Sequence, residues 1–437
     1  MRIRAAWLSC LLVIALAANL AAALLPRITA ATADPERPAP GDTLRISCRL
    51  EDPAGAVSSL TGVLREFPDL SGALQKASAG AWGFAFPMTA EIQPGTYHLD
   101  LVARDAQGLR VPLAPGSVTT ATFSVGAPQR VTAPPAPEFK PPLVSVRMAS
   151  VEGRPIEVRH AYRGLANWYK GQLHCHTTNS DGKTAPGALV GKYAADGCAF
   201  LMISDHEVVT RDEQSPSGQP LVRILGLERG TREGDMVCIH FLGQAHSLGG
   251  QETINTVTHY GGLVMLAHPE HATGYDRREL DGLRGMALVE ACNGGVDSTR
   301  TWDYLLSKGM IIWGAASDDF HGKAEDATSR DFVVVNADEC APAAIVESLR
   351  LGNFYASEGP TLAFALRDGA LRISADAPGR FMFRGPYGLR LGQQRADANH
   401  SAVYEFRGDE QYVRVEFVRG GDGKRAWSQP FFVAQGK

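Results

Sequence analysis

Leu173-His174-Cys175-His176-Thr177-Thr178-Asn179-Ser180-Asp181-Gly182 is the stretch on which the reading of this chain turns. It directly follows the half-apolar run Trp168-Tyr-Lys-Gly-Gln172. Residues two apart on an extended strand face the same side, so His174 and His176 can address one ion while Cys175 points away. Ten of the twelve histidines lie between His160 and His321, which marks the middle of the chain as a metal-site candidate.

Working outward, other short apolar runs end in the same chemistry. Cys198 to Ile203 leads into Ser204-Asp205-His206-Glu207, and Val222 to Leu225 into Gly226-Leu227-Glu228. Met236 to Ile239 ends at His240, Gly262 to Ala267 at His268-Pro269, and Met310 to Ala316 at Ser317-Asp318-Asp319-Phe320-His321. Helix-like stretches separate these runs: Ala188 to Ala195, Glu252 to Tyr260 and Thr299 to Lys308. Strand alternating with helix implies an α/β fold, a parallel sheet or barrel with its functional groups at the carboxyl ends of the strands. Imidazoles and carboxylates without a cysteine set suit zinc, manganese or iron, and there are enough of them for more than one ion.

The ordered string His-x-His-x4-Asp-Gly, Ser-Asp-His, Gly-Leu-Glu, a strand His, Ala-His-Pro and Asp-Asp-x-His resembles the PHP (polymerase and histidinol phosphatase) family, in its secreted metallohydrolase branch that includes carbaryl hydrolase. The resemblance covers roughly residues 167 to 360, including Gly352-Asn-Phe-Tyr-Ala-Ser-Glu-Gly359. It implies a distorted TIM-like (βα)7 barrel with two or three divalent ions at its mouth. Carried over by motif, His174, His176, Glu228 and an Asp of the last motif would hold the first ion. Glu228 would bridge to a second held by His240 and His268, and Asp181, His206 and His321 would hold a third. For the last motif, Asp-x-His spacing selects Asp319, because an i, i+2 pair with His321 shares a face, while alignment from Ser-Asp selects Asp318. His246 is the rival to His240.

A hydroxide bridging two divalent ions would be the nucleophile, since coordination lowers the pKa of water from about 15.7 towards roughly 7. Glu228 is then central to catalysis. His271 is a candidate proton donor to a leaving group, and Asp205 a carboxylate that orients the site. Phosphate recognition would add a cation, for which Lys183, Arg211, Arg277 and Arg278 are the candidates. The expected substrate is a small-molecule ester. Phosphoester hydrolysis is the first reading, carboxyl or carbamate ester hydrolysis the second, and a non-enzymatic envelope binding protein with a degenerate barrel the third.

The rest of the chain frames this site. With 437 residues there is room for two or three domains. The 43 basic and 47 acidic residues give a formal charge of -4, so no bulk charge favours nucleic acid. Met1-Arg-Ile-Arg4 followed by apolar residues 5–25 reads as an export signal, with cleavage expected after Ala31-Thr-Ala33, or as a membrane anchor. Either places the bulk of the protein in the periplasm or outside the cell. Residues 34–126 alternate like an immunoglobulin-like β-sandwich, and a proline-rich linker follows over 127–143. The barrel is expected over 144–360 and a C-terminal β module over 361–437. The cysteines beyond the leader are expected to be mostly free thiols. No pattern in the chain sets an oligomeric state.

Overall fold

The computed structural model describes residues 25–435 apart from 40, 65–70, 79, 89–92, 126–137, 212–220, 244–248, 272–273, 324–325 and 368. Most of the expected leader and of the proline-rich linker therefore lies outside the described residues. Two compact units divide at Pro128 and Gln129. The chain is a strand-rich α/β mixture.

In the first unit, seven antiparallel strands form a sheet in the order first, second, fifth, fourth, third, sixth, seventh. Thr43–Glu51 alternates exposed and buried along its whole length, which sends Leu44, Ile46, Cys48 and Leu50 inward. The first strand, Arg27–Asp34, pairs with it, Ala33 opposite Ile46. The sheet thus begins at Arg27, within the segment expected to form the leader, and not at residue 34.

In the second unit, seven strands from two sheets are linked in a ring through two isolated bridges. Asn167–Gln172 runs parallel to Phe200–Met202. The chain beyond the latter meets Gly226–Gly230 through a bridge between His206 and Glu228. Asp235–Ile239 is antiparallel to both Gly226–Gly230 and Leu263–Leu266. Leu263–Leu266, Leu288–Asn293 and Trp313–Ser317 are parallel in turn. A parallel bridge between Cys175 and Phe320 closes the ring onto its first strand. The ring departs from an all-parallel (βα)7 barrel at Asp235–Ile239, because the turn Thr231 to Gly234 is too short to hold a crossover helix and folds the chain into a hairpin.

Phe200–Met202, Leu263–Leu266, Leu288–Asn293 and Trp313–Ser317 are buried along their whole length, which is why they read as near-continuous apolar runs. Met236 and Cys238 pack with Ile254 and Val257 of helix Gly250–His259 and with Trp302 and Leu305 of helix Thr299–Ser307. Their neighbours Val237 and Ile239 join Met202, Met265, Trp313 and Ala315 in a second cluster. Full burial of a single side chain of this kind contributes roughly 2–3 kcal/mol. Helix Pro186–Ala195 lies close to its expected span, with Pro186 at its start.

Beyond the ring, Phe332–Ala337 pairs antiparallel with Asn167–Gln172 and with Phe354–Ser357. From Phe354–Ser357 the same sheet continues through Arg425–Trp427 and Tyr412–Arg419 into the C-terminal β module. Pro155–His160 pairs with Phe431–Gln435, so residues 144–160, expected in the barrel, belong structurally to that module. Phe332, Val334 and Tyr355 of the first two strands lie in the core of the module, beside Phe381, Phe383 and Phe417.

Candidate metal centre

Parallel strands end on one side of the ring, and the chemistry-bearing residues collect there. His174 and His176 follow strand Asn167–Gln172 and are fully buried. Their Nε2 atoms lie 3.1 Å apart. Glu228 Oε2 is 3.0 Å from the first and 3.1 Å from the second, and Asp319 Oδ1 is 3.2 Å and 3.1 Å away. Both carboxylate atoms are buried without a hydrogen-bond partner. Four atoms that normally seek a proton or a cation thus face a common point.

Two further groups adjoin this one. Glu228 Oε1 lies 3.1 Å from His268 Nε2, which is 3.8 Å from Asp235 Oδ2. Asp181 lies 3.2 Å from His321 Nε2 and 3.9 Å from His206 Nε2. His176 also comes within 3.6 Å of Asp181 through Nδ1. A neutral imidazole has only one nitrogen free to ligate, so His176 can serve the first group or the third, but not both. The donor atoms within each group lie within 4.8 Å of one another.

Of the expected ligands, His174, His176, Asp181, His206, Glu228, His268, Asp319 and His321 are brought together. His240 falls in none of the groups, which corrects its expected role. Its strand is antiparallel to its neighbours, so its start, Asp235, lies at the mouth beside His268 and its end points away. Ile239 pairs with Leu263, five residues before His268, or about 16 Å along an extended chain. His246 is outside the described residues. Asp318 is also corrected: its carboxylate accepts from Tyr193 Oη at 2.9 Å and from the backbone N–H groups of Ser329 and Asp331 at 2.7 and 2.8 Å. Burial pushes its pKa up to about 6.

Asp205 is buried and accepts from Thr177 N and Oγ1 at 2.7 and 2.6 Å, from Ser180 Oγ at 2.7 Å and from Thr210 Oγ1. With its lone pairs taken, it positions the loop 177–182 and is not a proton-transfer group. Gly182 is held equally tightly, since a Cβ there would come 2.5 Å from His176 C. His271 stacks on His268 at 5.0 Å, with its Nε2 buried and unpartnered. Burial, then His268, lowers its pKa. That direction favours the neutral imidazole, which accepts a proton more readily than it donates one to a leaving group. Among the cations, Arg277 lies over the Tyr304 ring at 4.2 Å, and Lys183 is exposed.

Two residues that sequence reasoning missed complete the site. Asp235 sits in the charged run Arg232-Glu-Gly-Asp235, which reads as a solvated turn. Glu290, fully buried in Leu288–Asn293, lies 2.7 Å from His174 Nδ1 and accepts from Ser317 Oγ, His268 N and Asn293 Nδ2. A lone carboxylate in the otherwise apolar run Leu288-Val-Glu-Ala-Cys292 was the available signal. It turns His174 Nε2 towards the centre.

The electrostatics follow from this crowding. Burial disfavours the charged imidazole of His176, but the Asp319 and Glu228 carboxylates facing it outweigh that and lift its pKa to about 9. Burial would raise the Glu228 pKa, but His174, His176 and His268 hold it well below the carboxylate range.

No protein-family model and no curated protein matches the chain. Among solved structures, a two-domain protein from Bacteroides vulgatus, described as containing a predicted PHP-like metal-dependent phosphoesterase, is similar with TM-score 0.38 and 14% identity, over 69% of this chain and 91% of that one. An amidohydrolase from Chromobacterium violaceum is similar with TM-score 0.28 and 13% identity, over 36% of this chain and 89% of that one.

Proposed function

We propose that the protein is a metal-dependent hydrolase of ester bonds, with phosphoesters as the first substrate class and the ring as a distorted PHP-type barrel. The convergence of His174, His176, Glu228 and Asp319 on one point, with two buried and donorless carboxylate atoms, carries this reading. An unpaired buried polar atom costs roughly 1–3 kcal/mol or more, and a cation at that point offsets the cost. The donor set of imidazole and carboxylate fits zinc, manganese or iron.

Glu228 would be shared between two ions, the first completed by His174, His176 and Asp319 and the second by Asp235 and His268. Asp181, His206 and His321 would hold a third. Ions held there would supply Lewis acidity, lowering the pKa of water towards roughly 7 and offsetting charge that builds on the ester. The protein's own groups do the positioning. Glu290 fixes the His174 tautomer, Asp205 anchors the loop carrying Asp181, and His271 can accept a proton at the rim. Three dications would carry six positive charges against the five carboxylates Asp181, Glu228, Asp235, Asp319 and Glu290, a surplus of one before a hydroxide binds, and that surplus favours an anionic ester and hence the phosphoesterase reading.

Export through the N-terminal segment belongs to the same proposal, with any cleavage falling before Arg27 so that the first strand survives. The strand order of the first unit supports the immunoglobulin-like reading of that module. The test is turnover of p-nitrophenyl phosphate and a p-nitrophenyl carboxyl ester before and after chelation, then after zinc, manganese or iron is restored. Chelator-reversible phosphate ester turnover is expected. Carboxyl ester turnover alone would replace the first substrate class with the second, and chelator-insensitive turnover would contradict the metal-dependent reading.

A further inference from the structure

The two pockets that share Glu228 differ in kind. The one at His174 presents two imidazole nitrogens and two carboxylate oxygens, whereas the one at His268 presents a single nitrogen with two carboxylate oxygens. The difference originates in the hairpin, which brings Asp235 to the mouth in place of His240.

The supporting groups differ in the same direction. His174 has Glu290 against its Nδ1 at 2.7 Å, while His268 Nδ1 is buried with no partner. A carboxylate on the far nitrogen fixes the tautomer and raises the basicity of the ligating one, and its removal typically costs about 10–100-fold in metal affinity. Imidazole suits zinc, while carboxylate suits harder ions such as manganese.

Resting on the hydrolase reading above, we propose that Asp235 makes the His268 pocket a weak, oxygen-rich site that exchanges first and takes manganese, while the imidazole-rich pockets keep zinc. Zinc binds most nitrogen and oxygen sites more tightly than manganese, so the claim concerns the ratio of the two affinities, which is smaller at Asp235 than at His174.

The experiment strips the full chain with chelator, reloads it with zinc, and equilibrates it against Mn2+ in roughly hundredfold excess over free Zn2+. Metal content per chain is read by mass spectrometry, and manganese by electron paramagnetic resonance. The wild type should hold both metals, with one manganese giving a resolved hyperfine pattern. Asp235→His should lower retained manganese roughly tenfold and hold zinc in its place. Asp235→Asn should lose the manganese without gaining zinc, which guards against a misfolded histidine variant. His240→Ala should match the wild type, because no metal-holding group among the described residues includes His240. Zinc alone in the wild type, or wild-type manganese in the Asp235 variants, would overturn the proposal and leave the hydrolase reading standing. Failure of both metals to bind would overturn both.

Discussion

Glu228 directs one carboxylate oxygen at His174 and His176 and the other at His268, so its replacement disables two pockets at once. Glu228→Gln should abolish turnover and lower the metal content while circular dichroism stays native; an active, metal-replete variant would contradict the bridging role. Glu290→Gln should weaken metal binding about 10–100-fold without touching substrate, a loss that titration with a competing chelator would measure. A third residue makes stability depend on pH. Asp331 is fully buried, and burial, followed by the charges of Asp318 and Glu358, pushes its pKa from 3.8 up to about 7. A folded pKa raised above the unfolded one contributes stability that is complete below about 3.8 and lost as pH rises through about 7. Asp331→Asn removes this titration, so the Tm of the variant relative to wild type should rise between pH 5 and pH 8. A pH-independent difference would count against it. The His174–His176 pair was legible because spacing on an extended chain fixes which side chains share a face. Asp235 and Glu290 were not, because the first depends on a hairpin reversing the strand and the second on a partner 116 residues away in sequence.

The alternation of strand and helix was readable in the apolar runs, and helices Gly250–His259 and Thr299–Ser307 lie within two residues of their expected bounds. Strand direction was not readable. Apolar periodicity is the same for a strand running either way, and the sense of Asp235–Ile239 is set by the short turn before it. Tight approaches within the elements supply a test: Gly182→Ala should displace His176 and reduce activity and metal content together, and a variant normal in both would show that the loop has slack. Strand Arg27–Asp34 supplies another. A chain starting at Asp34 loses all but one residue of this edge strand and its pairing with Thr43–Glu51, so the first unit should melt at a lower temperature than in a chain starting at residue 25.

Across the second unit, the ring and the C-terminal module share a sheet and a core, so they should unfold together. Arg414, 1% exposed, forms a two-pronged pair with Asp303 of helix Thr299–Ser307, with Nε at 2.7 Å and Nη2 at 2.5 Å, and lies over the Trp302 ring. Asp303→Ala leaves a buried guanidinium without its partner and should cost roughly 3–5 kcal/mol in denaturant unfolding. A chain ending at residue 360 would expose Phe332, Val334 and Tyr355 and should not fold stably, although the site residues are all present. The division at residue 360 looked natural in sequence because composition changes there, and the continuity shows in the pairing of Phe354–Ser357 with Arg425–Trp427 and in the shared core. The most direct test of the central claim is a crystal structure of the full chain grown with zinc or manganese, with anomalous difference maps at the metal edges. The expected result is a peak about 2.0–2.3 Å from His174 Nε2, His176 Nε2, Glu228 and Asp319, with a second beside His268. Ordered side chains with no anomalous peak between them, in protein soaked with either metal, would contradict the metal-dependent account.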